Sequence, residues 1–195
     1  IENQQLQAEN ILNQYEALKN QLNPHMLFNS LNTLRSLVRE DQDKAQEYIQ
    51  ELSRVLRYTL QGNDSKSVFL KDEIEFVSAY IFLLKMRFED LSFDICIDNK
   101  YANYYLPPMA VQMLIENAVK HNEISDRHPL NIRIYTEEEE LIVTNPVQPK
   151  LTATTGTGIG LANLAKRYHL LYKREIQISE NEQFTIRIPL ISSAS

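Results

Sequence analysis

The chain has 195 residues, 43% of them hydrophobic and 24% charged, ordinary proportions for a soluble globular protein and enough for one large domain or two small ones. A net charge of -6 with scattered basic residues argues against a nucleic-acid partner. The single cysteine, Cys96, excludes an intramolecular disulfide and fits a reducing compartment.

No apolar run is long enough to cross a bilayer, and no signal peptide is recognisable. The chain opens on Ile1 inside a helical pattern, which reads as a piece excised from something longer. Leu6, Ile11, Leu12, Tyr15, Leu18 and Leu22 recur at helical spacing, and so do Leu31, Leu34, Leu37 and Val38. Between the two runs stand Pro24 and His25. A proline inside a helix removes one backbone hydrogen bond and bends the helix, at about 3 kcal/mol. The polar run from Arg39 to Lys44 breaks the pattern, and a second helix then aligns Tyr48, Ile49, Leu52, Val55, Leu56 and Leu60 before Gly62-Asn63-Asp64 stops it. Two helices with such wide apolar stripes cannot bury them alone. The simplest partner is a second copy, making a four-helix bundle.

From Ser65 onward the pattern changes. Val68 to Leu70 reads as a short strand or extended entry, Lys71 to about Phe88 as an amphipathic helix, and Ser92 to Asp98 as a strand with Cys96 as a small buried hydrophobe. Pro107-Pro108 opens a helix running to about His121, with proline in its first turn. Asn131 to Tyr135 and Leu141 to Val143 pair as a hairpin across the acidic Glu137 to Glu140 run, which reads as a solvated turn. A loop follows from Asn145 to Gly158, then a helix from Gly160 to about Tyr172, and a closing hairpin of Glu175 to Ser179 with Gln183 to Pro189. The fold class is α+β: an N-terminal helical hairpin, then helices on one face of a mixed, largely antiparallel sheet.

Three constellations carry chemistry. In Leu114-Ile-Glu-Asn-Ala-Val-Lys-His-Asn122, Asn117 and His121 share a helix face and Glu116 and Lys120 form the next row. A carboxylate, an amide and two potential cations thus meet on an otherwise apolar helix, unless that polar face is simply wet. In Thr155-Gly-Thr-Gly-Ile-Gly-Leu161, glycines alternate ahead of a helix. Their backbone N–H groups can approach an anion, and the helix N-terminus adds a favourable dipole. A flexible loop looks the same, and the spacing is neither a Walker A loop nor a Rossmann fingerprint. An amide oxygen holding Mg²⁺ and glycine amides holding the phosphates that the metal bridges would join the two constellations. The third is His25, nearly on the Ile11–Leu18 stripe and so readable as a seam residue. A bend at Pro24 would turn it outward, where a neutral imidazole is a good nucleophile.

These elements, in this order, resemble the catalytic core of sensor histidine kinases of the LytS type. Asn23-Pro-His-Met-Leu-Phe-Asn-Ser-Leu-Asn32 resembles that family's phosphoacceptor box, with Met26 where Phe is usual. Glu116-Asn-Ala-Val-Lys-His121 resembles the N box of the GHKL ATPases, and Gly156-Thr-Gly-Ile-Gly-Leu161 the G box. The resemblance implies a dimerisation and phosphotransfer hairpin over 1–62 and a Bergerat-type ATP-binding α/β sandwich over 66–191. It implies ATP and Mg²⁺ as cofactors, with autophosphorylation of His25 and transfer to an aspartate. The partners it implies are a second copy and a LytR-like response regulator, with a parent protein held in the membrane by a missing sensor segment. This chain would be the parent's cytoplasmic portion. Glu116 would orient or deprotonate near the metal, and Asn117 would hold it. Gly156, Gly158, Gly160 and Leu161 would wrap the phosphates, joined by Lys120 and His121. Asn145 stands where the superfamily has an adenine-binding aspartate, in Val143-Thr-Asn-Pro-Val-Gln-Pro149, and the glycines of that box are gone. An amide is a weaker acceptor than a carboxylate, so weaker nucleotide binding is expected. A GHKL-type ATPase or a nucleotide-poor pseudokinase is the alternative. Asn29, one helical turn past His25, is a candidate acceptor for the ring's other nitrogen. Arg167 is placed to meet a phosphate or a surface carboxylate, and the 61–67 segment is a plausible hinge.

Overall fold

The computed structural model describes residues 24–61, 65–152 and 159–193. The apolar stripe over 1–23, Gly62 of the expected hinge, and Gly156 and Gly158 lie outside these residues. The chain divides into two compact units, Ile1–Asn63 and Asp64–Ser195.

In the first unit, α1 (Pro24–Glu40) and α2 (Gln42–Gln61) are separated by Asp41 alone, not by the whole polar run from Arg39 to Lys44. The Asp41 N–H still donates to Leu37 O at 2.8 Å. Its carboxylate accepts from the Lys44 N–H at 3.1 Å, so one residue ends one helix and caps the next in the usual N-cap manner. α2 buries Ala45, Tyr48, Leu52, Val55 and Thr59, a spacing of three and four that makes one helical stripe. A second apolar set stays exposed: Phe28, Leu31 and Val38 on α1, Ile49 and Leu60 on α2.

In the second unit, β1 (Val68–Phe69) pairs antiparallel with β3 (Tyr105–Leu106) as a small ribbon. The main sheet has five strands in the order β2-β4-β5-β7-β6: β2 (Leu91–Cys96), β4 (Leu130–Glu137), β5 (Glu140–Pro146), β7 (Gln183–Pro189) and β6 (Gln177–Glu180). β2 and β4 run parallel and the other pairs antiparallel, so the sheet is mixed and largely antiparallel. A parallel pair needs a long crossover, and here it contains α4 (Ala110–His121). With α3 (Leu70–Arg87) and α5 (Ile159–Tyr172), α4 forms the helical layer. It contacts α3, α5 and β5.

The alternation of each strand decides the rest. Ile132 and Ile134 of β4 and Ile186 and Ile188 of β7 are buried, and the register puts Val143 beside Ile134 and Ile186. The opposite face is more polar. The Arg133 guanidinium lies over the Tyr135 ring, 5.5 Å from its centroid, and Arg187 binds Glu140 at 3.0 Å and Glu137 at 3.2 Å.

Two expectations are corrected. Cys96 is exposed. It pairs with Tyr135, one position past the Ile95–Ile134 pair, so it points to the outer face of an edge strand; alternation fixed the strand but not which parity faces the helices. α4 starts at Ala110, after both prolines. Met109 takes a left-handed conformation, φ 62, and Pro108 disfavours a helical Pro107, so the prolines lead into the helix without entering its first turn. The acidic run is also more than a wet turn. Glu138 and Glu139, at φ 48 and 64, make the tight hairpin turn, while the flanking Glu137 and Glu140 bind Arg187.

Candidate functional site

α4 organises the site, and a carboxylate fixes its start. Glu73 of α3 is fully buried and accepts from the Met109 N–H at 3.1 Å and the Val111 N–H at 3.2 Å. A helix N-terminus carries orphan donors and a partial positive charge, so a side chain remote in sequence here acts as the cap. From α5, the Arg167 guanidinium donates to Pro108 O at 3.2 Å and feels the Glu73 charge. Among the described residues Arg167 thus meets a backbone carbonyl and not a surface carboxylate. It ties α5 to the start of α4, the end opposite Lys120 and His121.

Further along α4, Glu116 is half-buried. Its Oε1 accepts from the Gln112 amide at 3.0 Å and from the buried Tyr80 hydroxyl of α3 at 3.3 Å. Burial pushes the Glu116 carboxyl above its ordinary range, against the pull of those two donors and of Lys120. Burial and then the neighbouring carboxylate push the Tyr80 phenol well up, so it stays a donor. Gln112 Oε1 is buried without a hydrogen-bond partner among the described residues, a state that costs about 1–3 kcal/mol. A protonated Glu116 could donate to it after a half-turn of the amide.

Asn117 is half-buried, and its amide has no hydrogen bond within the described residues. It shares a face with His121, also half-buried, while Lys120 is exposed. Burial first, then Lys120 and Lys150, lower the His121 pKa. The unfolded chain then binds the proton better than the folded one, so the contribution of His121 to stability is present above its ordinary value near 6.5 and fades as pH falls through the lower folded value. In a proton-NMR titration its ring should show a midpoint below 6.5; a midpoint at or above that value would contradict this arrangement.

Asn145 is buried on β5, opposite Phe184. By strand parity it lies on the helix-facing side with Val143. Its amide NH₂ donates to Pro146 O at 2.8 Å, which leaves the oxygen as the group able to accept. Gly160 lies in the first turn of α5, where an added Cβ would meet only Met113 Cε at 3.9 Å, an ordinary contact. Leu161 is half-buried next to it.

The fold thus brings Glu116, Asn117, Lys120 and His121 together on α4. Sequence reasoning missed Glu73, Tyr80 and Gln112. Gln112 was within reach, one turn before Glu116 on the same row. Glu73 finds its partners 36 and 38 residues away and Tyr80 finds Glu116 at 36, with no local signal.

In the other unit, His25 is exposed near the start of α1, and the Ile11–Leu18 stripe lies outside the described residues. The Asn29 amide nitrogen lies 3.0 Å from its Nδ1. No group of three or more His, Cys, Asp or Glu side chains that could cage a metal occurs among the described residues. A lone amide of the Asn117 kind suits a cation that brings its other oxygens with a phosphorylated ligand.

The family model for histidine kinases matches residues 13–92. The chain is 36% identical over 176 residues to Sensor protein LytS of Streptococcus agalactiae serotype V, covering 80% of this chain and 30% of that protein. It is 32% identical over 182 residues to Sensor protein LytS of Enterococcus faecalis, covering 82% and 30%. Each of these relatives is thus matched over 30% of its length. Among solved structures it is similar to the Acinetobacter baumannii histidine kinase AdeS, at 19% identity and TM-score 0.42, covering 80% of this chain and 83% of that one.

Proposed function

We propose that the chain, which matches the histidine kinase model over residues 13–92 and is similar to LytS sensor proteins, is the kinase core of a two-component sensor: ATP-dependent phosphorylation of His25, then transfer to an aspartate of a response regulator. The observation that carries this is an exposed imidazole with an amide at one ring nitrogen, in a chain whose other unit gathers Glu116, Asn117, Lys120 and His121 on one helix.

As placed, the Asn29 NH₂ donates to His25 Nδ1, which keeps the ring proton on Nε2. A half-turn of the amide reverses this. The Nδ1–H then donates to the amide oxygen, and the ring's lone pair is on Nε2. That second arrangement is the nucleophile, and phosphoryl transfer asks little more of the protein than such positioning and charge neutralisation. Lys120 and His121 meet the phosphates, joined by Gly156, Gly158, Gly160 and Leu161. The Asn145 oxygen accepts from adenine. Glu116, held through Oε1 by Gln112 and Tyr80, would orient or deprotonate a group near the metal. The Asn117 oxygen would hold Mg²⁺, whose charge would neutralise that of the phosphates. The exposed Phe28, Leu31, Val38, Ile49 and Leu60 are the surface through which a second copy completes the bundle. A membrane-anchored sensor segment and a LytR-like regulator belong to the same reading.

The test is to incubate the chain with Mg²⁺ and labelled ATP and map the phosphorylated residue by mass spectrometry under conditions that keep phosphohistidine. Phosphate on His25 is expected; free phosphate released with none on the protein would mean an ATPase instead. Asn117→Ala should lower the phosphorylation rate about a hundredfold or more, and raising Mg²⁺ should recover part of it. An unchanged rate and Mg²⁺ dependence would remove Asn117 from the metal.

A further inference from the structure

Beyond α4 the chain is stitched to the stretch in which the glycines of the superfamily's adenine box are missing. Asn122 is buried at the end of α4. Its NH₂ donates to Ala118 O at 2.8 Å, and its Oδ1 accepts from the Gln148 N–H at 2.8 Å. The Glu123 N–H donates to Gln148 O at 2.7 Å, and Asn122 and Pro149 form an antiparallel bridge. The Gln148 amide adds bonds to Glu123 O at 3.1 Å and His128 O at 3.3 Å. On that register the position facing His121 is Lys150.

Lys120 and His121 alone need no special explanation, because cations in the last turn of a helix favour its dipole. Lys150 does, because it arrives from another segment. It sets a second lysine beside Lys120 and the His121 imidazole in a chain whose net charge is -6. Among the described residues neither Lys120 nor Lys150 forms an ion pair. The crowding registers in the groups themselves: burial and then Arg87 lower the Lys150 pKa, and Lys150 helps lower that of His121. Five hydrogen bonds hold this corner in place, and an anion there would offset the mutual repulsion of its lysines.

We propose that Lys150, positioned by Asn122, completes with Lys120 and His121 a phosphate-binding corner at the C-terminal end of α4 that takes the polyphosphate of a nucleoside triphosphate. This rests on the nucleotide-binding reading above. It gives Gln148-Pro149-Lys150 a positive function where the superfamily's glycine box is missing.

The experiment is calorimetric titration of the whole chain with ATP and Mg²⁺ at several salt concentrations. Lys150→Met should weaken ATP binding about tenfold and flatten the salt dependence. Lys150→Glu should weaken it further, and Lys150→Arg should restore it. Lys150 is exposed, so these variants leave the core alone. Asn122→Ala should cost about as much as Lys150→Met, and the double variant little more than either. Affinities for Lys150→Met and Lys150→Glu within twofold of the parent overturn the proposal while leaving nucleotide binding intact. So does a weakened Lys150→Met with the parent's salt dependence. A parent chain that binds no ATP overturns the nucleotide reading and this proposal with it.

Discussion

His25→Gln takes up no acid-labile phosphate from ATP, a loss of at least about a thousandfold, while its affinity for ATP stays within about twofold of the parent. The two outcomes belong together because the acceptor and the nucleotide groups lie in different compact units. Glutamine keeps a polar side chain of similar reach on an exposed helix position but offers no basic nitrogen, so the fold is spared and only the nucleophile is removed. Radiolabel retained through base and lost in acid measures the first outcome, and calorimetry the second. Label persisting on His25→Gln would place the acceptor elsewhere. Joint loss of label and ATP binding would mean that the substitution had damaged more than the acceptor.

Glu73→Ala should destabilise the Asp64–Ser195 unit by about 3 kcal/mol. The carboxylate is fully buried and receives two backbone N–H groups at the start of α4. Its removal strands both donors, at about 1–3 kcal/mol each, takes a negative charge from a helix N-terminus and opens a void. Glu73→Gln keeps the volume and one acceptor, but its NH₂ must face an N–H, so roughly 2 kcal/mol is expected. Glu75, exposed on the same helix, is the control, with a change within about 0.5 kcal/mol on substitution. Urea midpoints followed through the tyrosine signal measure all three. Equal midpoints for Glu73→Ala and Glu75→Ala would show that the cap contributes nothing.

Much of the architecture was legible because it obeys short-range rules. The period of α2, the hairpins around Glu138-Glu139 and Asn181-Glu182, and the run from Glu116 to His121 can each be read within about a dozen residues. What escaped depends on partners far apart in the chain. Glu73 reads as one more charge on an amphipathic helix until α4 docks on it. Tyr80 reads as core, which it is, and its hydroxyl reaches Glu116 only in the folded unit. Arg167 reads as meeting a phosphate or a surface carboxylate, and its bond to Pro108 O forms only once α5 packs beside α4. Lys150 sits in a loop with no motif, and only the bridge from Asn122 to Pro149 brings it to His121. Cys96 was misplaced for a different reason: a strand's alternation has two phases, and an edge strand with Ile95 and Cys96 adjacent does not announce which is inside.

That misplacement has a practical side. The chain's only thiol stands exposed on the sheet face turned away from the helical layer. A maleimide dye would therefore attach once per chain, in the unmutated sequence, on the opposite side of the sheet from α4. If copies pair as proposed, donor and acceptor dyes on them would give a ready-made spectroscopic ruler between two Asp64–Ser195 units.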